Sequence, residues 1–184
     1  FCLNSASLTF YENGEERPPQ SMPIATETAY FAGGCFWGIE HYFQKGEGVI
    51  NAVSGYMQGK TKDPTYKEVS YEDTGHAEAV MVVFDPKVIS YERLLKAFFD
   101  MHDPTQLNRQ GPDVGSQYRS GIYTTSEAQL AAARAYAQKL QADGRFDRPI
   151  VTEIEPAETF YAAEDYHQDY IDTTGRACHV KNPW

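Results

Sequence analysis

Residues 28–43 read Thr-Ala-Tyr-Phe-Ala-Gly-Gly-Cys-Phe-Trp-Gly-Ile-Glu-His-Tyr-Phe. Thr28 to Ala32 is a short strand that runs into Gly33-Gly34. Cys35, Phe36, Ile39, Tyr42 and Phe43 then recur at helical spacing, up to the break at Gly46-Glu47-Gly48. Working outward, Val49 to Ser54 reads as a second strand. Gly55 to Tyr66 reads as a polar loop and Lys67 to Tyr71 as a further strand. Ala77 to Phe84 is the strongest strand, apolar on both faces and stopped by Asp85-Pro86. Ser90 caps a helix with the stripe Tyr91, Leu94, Leu95 and Phe98. Residues 102–116 form a loop, and Tyr118 to Thr124 reads as a strand. Ser126 with Gln129 fits a capping box, opening a helix that runs to about Ala142. Ile150 to Glu155 is a last strand and Ala162 to Ile171 a last helix. The pattern predicts an α/β (α+β) fold: a single two-layer domain over 27–172, with a mixed sheet and packed helices. An irregular arm (1–26) and a tail (173–184) flank it.

The chain has 184 residues, 41% of them hydrophobic and 23% charged, which suits a folded domain rather than a disordered one. No apolar run approaches the roughly 18 residues of a membrane span. The formal charge of −10 repels phosphate backbones and anionic lipid, so nucleic acid and membrane surfaces are not expected partners. Three cysteines, Cys2, Cys35 and Cys178, are too few and odd in number for a disulfide-stapled scaffold. The first residue is Phe, which suggests a processed or trimmed chain. The cytoplasm is favoured as compartment, with the periplasm or export open.

A cysteine that follows two glycines at a helix start is exposed to unpaired N–H groups and the positive end of the dipole. Both favour a thiolate. Cys35 is therefore either a nucleophile or a small buried cysteine that allows close packing. Phe36 and Trp37 are adjacent on the helix and do not share a face, so one of them can wall an apolar pocket beside the sulfur. The alternative is that both pack between layers. A cysteine phosphatase needs an Arg six residues on, but position 41 is His41. A cysteine hydrolase needs a base, and none of the five histidines is marked out. Cys178-His179 has no partner pair for zinc. Glu164 and His167 have the i, i+3 spacing of a di-iron half-site without a second copy, so His167 reads as a hydrogen-bonded structural histidine.

With period two, Glu78 shares a strand face with Val80, Val82 and Phe84. There it either holds a proton and serves as a general acid, or reaches into water from the strand end. Tyr66 and Tyr118 lie beside Gly- or Pro-containing loops, and a Tyr hydroxyl can donate to a developing oxyanion. Each can equally have an apolar body in the core and a wet tip. Asp113 in Gly111-Pro112-Asp113 reads as a turn residue. Cys178 in the tail suits a resolving cysteine that closes a disulfide after Cys35 is oxidised, or is an unpaired tail thiol.

The sequence resembles the A-type peptide methionine sulfoxide reductases. The motifs are Gly34-Cys35-Phe36-Trp37-Gly38, Gly75-His76-Ala77-Glu78, Asp103-Pro104-Thr105, Gln117-Tyr118-Arg119-Ser120 and Tyr166-His167-Gln168, all in the family's order over about residues 25–180. The resemblance implies thiol-dependent reduction of the S epimer of methionine sulfoxide, free or in proteins, with no metal or organic cofactor. It implies Cys35 as nucleophile, Glu78 as acid, and Tyr66 and Tyr118 as hydrogen-bond donors to the oxygen. Phe36 and Trp37 would hold the substrate methyl group, and Asp113 would order the site. Cys178 would resolve the Cys35 sulfenic acid, and thioredoxin would reduce the resulting Cys35–Cys178 disulfide. A monomer is expected, with fusion to a B-type reductase domain in the full protein as a further expectation. Two departures stand out: the single tail cysteine in Gly175-Arg176-Ala177-Cys178-His179, and a first 25 residues without a family counterpart. The competing classes are a cysteine peroxidase, which has no need of the aromatic pair, and a methionine-binding module without turnover.

Overall fold

The computed structural model describes residues 25–176 and 180–184. Glu27–Gly33 forms β1, and Phe36–Gln44 forms α1. Val49–Met57 forms β2, and Ala77–Phe84 forms β3. The sheet grows on β3, the chain's most apolar strand. β1 and β2 pair with it on either side, both antiparallel. Pairing extends β2 past the expected Ser54 end to Met57, which lies opposite Ala77. Ser120–Thr124 (β4) pairs antiparallel with β1, and Glu153–Pro156 (β5) adds parallel to β4. Tyr161–Ala162 (β6) closes the other edge against β2. The six strands run in the order β5-β4-β1-β3-β2-β6, with one parallel pair. The expected mixed sheet with packed helices is therefore present.

Alternation along the strands creates two faces. Ala29, Phe31, Val80, Val82, Phe84 and Ile122 belong to the main core with Phe36, Ile39 and Phe43 of α1. The helix Tyr91–Met101 (α3) adds Leu94, Leu95, Phe98 and Phe99 to that core. The helix Glu127–Ala142 (α4) adds Ala133 and Leu140. Ser90 caps α3 by accepting from Arg93 N–H at 3.2 Å. Ser126 accepts from Gln129 N–H at 3.2 Å, but the Gln129 amide oxygen accepts from Thr125 rather than closing a capping box on Ser126. On the opposite face Ala32, Met57, Ala77, Ala79 and Tyr123 form a smaller cluster against Ala157 and Phe160.

Several further expectations are corrected. Tyr66–Tyr71 is a helix, α2, in place of the strand expected over Lys67 to Tyr71 and the loop end at Tyr66. Thr65 accepts from Glu68 N–H and Glu68 returns a bond to Thr65 N–H, so a reciprocal cap decides the local conformation. Tyr118 ends a 3₁₀ turn over Ser116–Tyr118, and the strand starts only at Ser120. The expected helix over 162–171 is broken into three pieces. These are β6, a 3₁₀ turn over Asp165–His167, and a short helix α5 over Tyr170–Thr174. Pairing of Ala162 with Gly55 and the left-handed backbone of Asp169 (φ 53°) override the helical spacing there. Within the expected loop 102–116, Arg109–Gln110 pairs with Asp113–Val114 in a small hairpin.

Candidate active site

Cys35 is the residue that caps α1. It is half-buried, with φ −54° and ψ 119°, and its side chain makes no cap bond. The turn that delivers it depends on Gly34, whose φ is +97°. A Cβ on Gly34 would come within 2.7 Å of Gln110 Cβ, so only glycine lets the chain pass the 109–114 hairpin.

The first N–H of α1 has no partner within the helix. Phe36 N–H instead donates to Glu78 Oε2 at 3.0 Å. Strand β3 thus carries a carboxyl directly to the N-terminus of the helix that Cys35 caps. Glu78 is only 2% exposed, which excludes the alternative that it reaches into water. Burial, with a smaller contribution from the Asp113 charge, outweighs the Phe36 bond and pushes its pKa up to about 8. At neutral pH the carboxyl holds a proton.

Tyr66 opens α2, and Tyr118 ends its 3₁₀ turn; both are half-buried. Burial and then the Glu78 charge raise the pKa of each phenol, and the Cys35 sulfur adds to both. Asp113 also adds to Tyr118. The structure thus gathers Cys35, Tyr66, Glu78, Asp113 and Tyr118 from five separate segments into one electrostatic neighbourhood. Both phenols stay protonated and keep an O–H to donate.

Phe36 and Trp37 part as expected. Phe36 is 1% exposed and packs on Tyr56 and His167, with ring centroids 5.6 and 5.2 Å away. Trp37 is half-buried at the rim. Its indole stacks on Tyr170 at 3.8 Å and 12°, and its N–H donates to His167 Nδ1 at 3.0 Å. His167 is the hydrogen-bonded histidine that its context suggests. Accepting at Nδ1 fixes the neutral tautomer with the proton on Nε2, and burial lowers its pKa. The two elements of the di-iron spacing are used otherwise. Glu164 accepts from Tyr66 N–H at 2.7 Å and from Tyr56 O–H at 2.9 Å, so it sets the start of α2.

Cys178 lies, with Ala177 and His179, outside the described residues, as do residues 1–24. Residue-by-residue reading did not single out Glu164, Tyr170 or Arg119 as supports of the site. Arg119 is the most connected of these. It reaches Glu153 Oε2 at 2.9 Å, Ser116 O at 3.0 Å, Gly75 O at 3.1 Å and Gln58 O at 3.5 Å. Its long-range partners lie 34, 44 and 61 residues away in sequence, so no local pattern could announce it.

A cysteine at a helix N-terminus, a protonated carboxyl on the next N–H, two phenol donors and a stacked indole define a thiol-dependent oxidoreductase. Such a set of groups can take oxygen off a small substrate with an apolar end. The model of the peptide methionine sulfoxide reductase family matches residues 27–183. The chain is similar to the peptide methionine sulfoxide reductase of Methanosarcina acetivorans, 56% identical over 160 residues, covering 87% of this chain and 83% of that one. Among solved structures it is similar to Mxr1 from Saccharomyces cerevisiae in reduced form. That match has a TM-score of 0.80 and 37% identity, covering 88% of this chain and 92% of the other. It is also similar to Mxr1 in complex with Trx2, with a TM-score of 0.58 and 27% identity, covering 88% and 94% of the two chains. The chain belongs to the peptide methionine sulfoxide reductase family, in its A type, and reduces methionine sulfoxide to methionine at the expense of thiols.

Proposed function

We propose that this chain reduces the S epimer of methionine sulfoxide through a sulfenic acid on Cys35. The sulfur of Cys35 attacks the sulfoxide sulfur while Glu78 delivers its proton to the oxygen. The phenol hydroxyls of Tyr66 and Tyr118 donate to that oxygen as its charge grows. Oxygen passes to the cysteine, leaving Cys35 as sulfenic acid and the product as methionine. Phe36 and Trp37 hold the methyl group. Asp113 keeps the Glu78 proton in place by its charge. A sulfoxide bound by its methyl on one side and its oxygen on the other presents one epimer to the thiol. The observation that carries this mechanism is the Glu78 carboxyl, 2% exposed and bonded to Phe36 N–H beside Cys35.

In the second stage the Cys178 thiol attacks the sulfenic sulfur. A Cys35–Cys178 disulfide forms and water leaves. Thioredoxin then reduces that disulfide; the Trx2 complex of the Saccharomyces relative supports this partner. One chain supplies the whole described site, which supports a monomer as the working unit. A cytoplasmic location suits a cycle that needs a reduced dithiol partner. A B-type reductase domain in the same polypeptide stays an expectation, checked by the intact mass of the protein from its native source. Among the described residues no helix is long and apolar enough to cross a membrane.

The deciding experiment is turnover of each sulfoxide epimer with dithiothreitol, for wild type and Cys35→Ser. Reduction of the S epimer alone, abolished by the substitution, is expected. Fast reaction of Cys35 with peroxide and none with either epimer would replace the mechanism with a peroxidase. With thioredoxin in place of dithiothreitol, Cys178→Ser is expected to lose multiple turnover while keeping a single one. Unchanged thioredoxin turnover in that variant would remove Cys178 from the cycle.

A further inference from the structure

Glu40 takes no part in the chemistry above, yet it is a carboxylic acid only 1% exposed. It lies on the core-facing side of α1 with Phe36, Ile39 and Phe43. An apolar residue would pack there without the cost of desolvating a carboxyl. Glu40 Oε2 accepts from Ser54 O–H at 2.6 Å, and Oε1 accepts from Asp169 N–H at 3.2 Å. The Ser54 backbone is in turn held by Gln168. Ser54 N–H donates to the Gln168 amide oxygen at 3.0 Å, and the Gln168 amide nitrogen donates to Ser54 O at 2.9 Å. The four residues form one clasp across α1, β2 and the segment before α5, buried at Glu40 and Ser54, half-buried at Gln168 and exposed at Asp169.

The clasp closes at a strained point. Asp169 has φ 53°, in the left-handed region that a non-glycine residue holds only when its surroundings insist. At Asp169 the chain turns from the 3₁₀ piece carrying His167 into α5, which begins with Tyr170. Those two side chains are the ones that hold the Trp37 indole, one by hydrogen bond and one by stacking. Cys35 caps the same α1 one turn ahead of Glu40, whereas Glu78 and Tyr118 sit on elements that the Glu40 hydrogen bonds do not reach.

We propose that Glu40 is a positioning residue that sets the affinity of the site for its sulfoxide. It does so by pinning Asp169, and with it His167 and Tyr170, against Trp37. This rests on the assignment of Trp37 to the methyl pocket. Removing the clasp frees the indole and weakens substrate binding, while the groups that carry the chemistry stay in place.

Glu40→Leu keeps the buried volume and removes both acceptors, so the fold is expected to persist with an unchanged or raised Tm. With dithiothreitol and free S-epimer sulfoxide, KM is expected to rise about tenfold and kcat to stay within about threefold. The chain holds two tryptophans, so in a Trp184→Phe background the emission reports Trp37 alone. Its maximum is expected to shift to the red and acrylamide quenching to increase. Glu40→Gln is expected to restore both readouts, because its carbonyl can accept from Asp169 N–H while its amide donates to Ser54 Oγ. A folded Glu40→Leu protein with wild-type KM and wild-type Trp37 emission overturns the proposal. A loss confined to kcat overturns it equally. A shifted emission with wild-type KM overturns the affinity role and the placement of the methyl group on Trp37 together. Should Glu40→Leu fail to fold, Gln168→Leu cuts the clasp at Ser54 and is read by the same two measures. If wild type itself does not reduce the sulfoxide, the proposed function fails, and the emission arm still decides whether Glu40 holds Trp37.

Discussion

Glu78 does two jobs that a single side chain rarely combines. It satisfies the first N–H of α1, and it stores a proton beside the cysteine at the N-cap of the same helix. Both follow from placing one carboxyl where no water reaches it. Glu78→Gln keeps an acceptor for Phe36 N–H but cannot give up a proton. Its rate of sulfoxide reduction in a single turnover of the reduced enzyme is expected to fall by about 10²–10⁴-fold. In wild type kcat/KM should fall as pH rises through about 8, where the carboxyl ionises, and that limb should vanish in the variant. Stability has a matching sign. The folded state holds this proton more tightly than the unfolded chain, whose carboxyl sits near 4.5. The Glu78 contribution is complete below that value and is lost as pH rises through about 8. The Tm of Glu78→Gln minus that of wild type should therefore grow between those limits, as read by thermal melts across pH.

At the scale of elements, the site is a meeting of ends. β1 delivers the Gly33-Gly34 turn, α1 begins at it, and β3 begins beside it. Gly34 makes the approach to the hairpin at Gln110 achievable. Gly34→Ala would adopt a φ of +97° with a methyl group 2.7 Å from Gln110 Cβ. It is expected to cost roughly 1–3 kcal/mol in denaturant unfolding, and to reduce activity by displacing Cys35. The amphipathic helices were easy to read because their apolar stripes recur with the right period, as with Leu94, Leu95 and Phe98 of α3. The strand expected over 67–71 and the helix expected over 162–171 give way for reasons that lie in partners. The Thr65 cap makes a helix of the first, and pairing of Ala162 with Gly55 makes a strand of the start of the second.

Across the whole molecule, Arg119 joins four places that the chain visits at very different times. Its guanidinium spans the end of β2, the turn before β3, the 3₁₀ turn of Tyr118 and β5. Lysine has one compact donor group and cannot bridge the same set. Arg119→Lys is expected to lower stability by about 1–3 kcal/mol, since it strands the Gly75 carbonyl among others. It should lower kcat more than KM, because Tyr118 and the start of β3 with Glu78 lose their common anchor. Denaturant unfolding and steady-state kinetics on one preparation test both. Equal loss in both kinetic constants would confine Arg119 to a structural role.

The sequence alone determined the elements whose signal is local. These are the strand–Gly-Gly–Cys turn, the apolar β3, the caps at Ser90 and Ser126, and the ordered motifs that carry Cys35, Glu78 and Tyr118. Periodicity, caps and motif order are properties of neighbouring residues, so a sequence displays them directly. Tertiary structure decided what depends on residues far apart in the chain. Whether Glu78 is dry, which of Phe36 and Trp37 enters the core, and what His167, Glu164, Arg119 and Glu40 hold are all settled by contacts over tens of residues. Burial and hydrogen bonding fix those roles, and both arise only when the sheet brings its segments together.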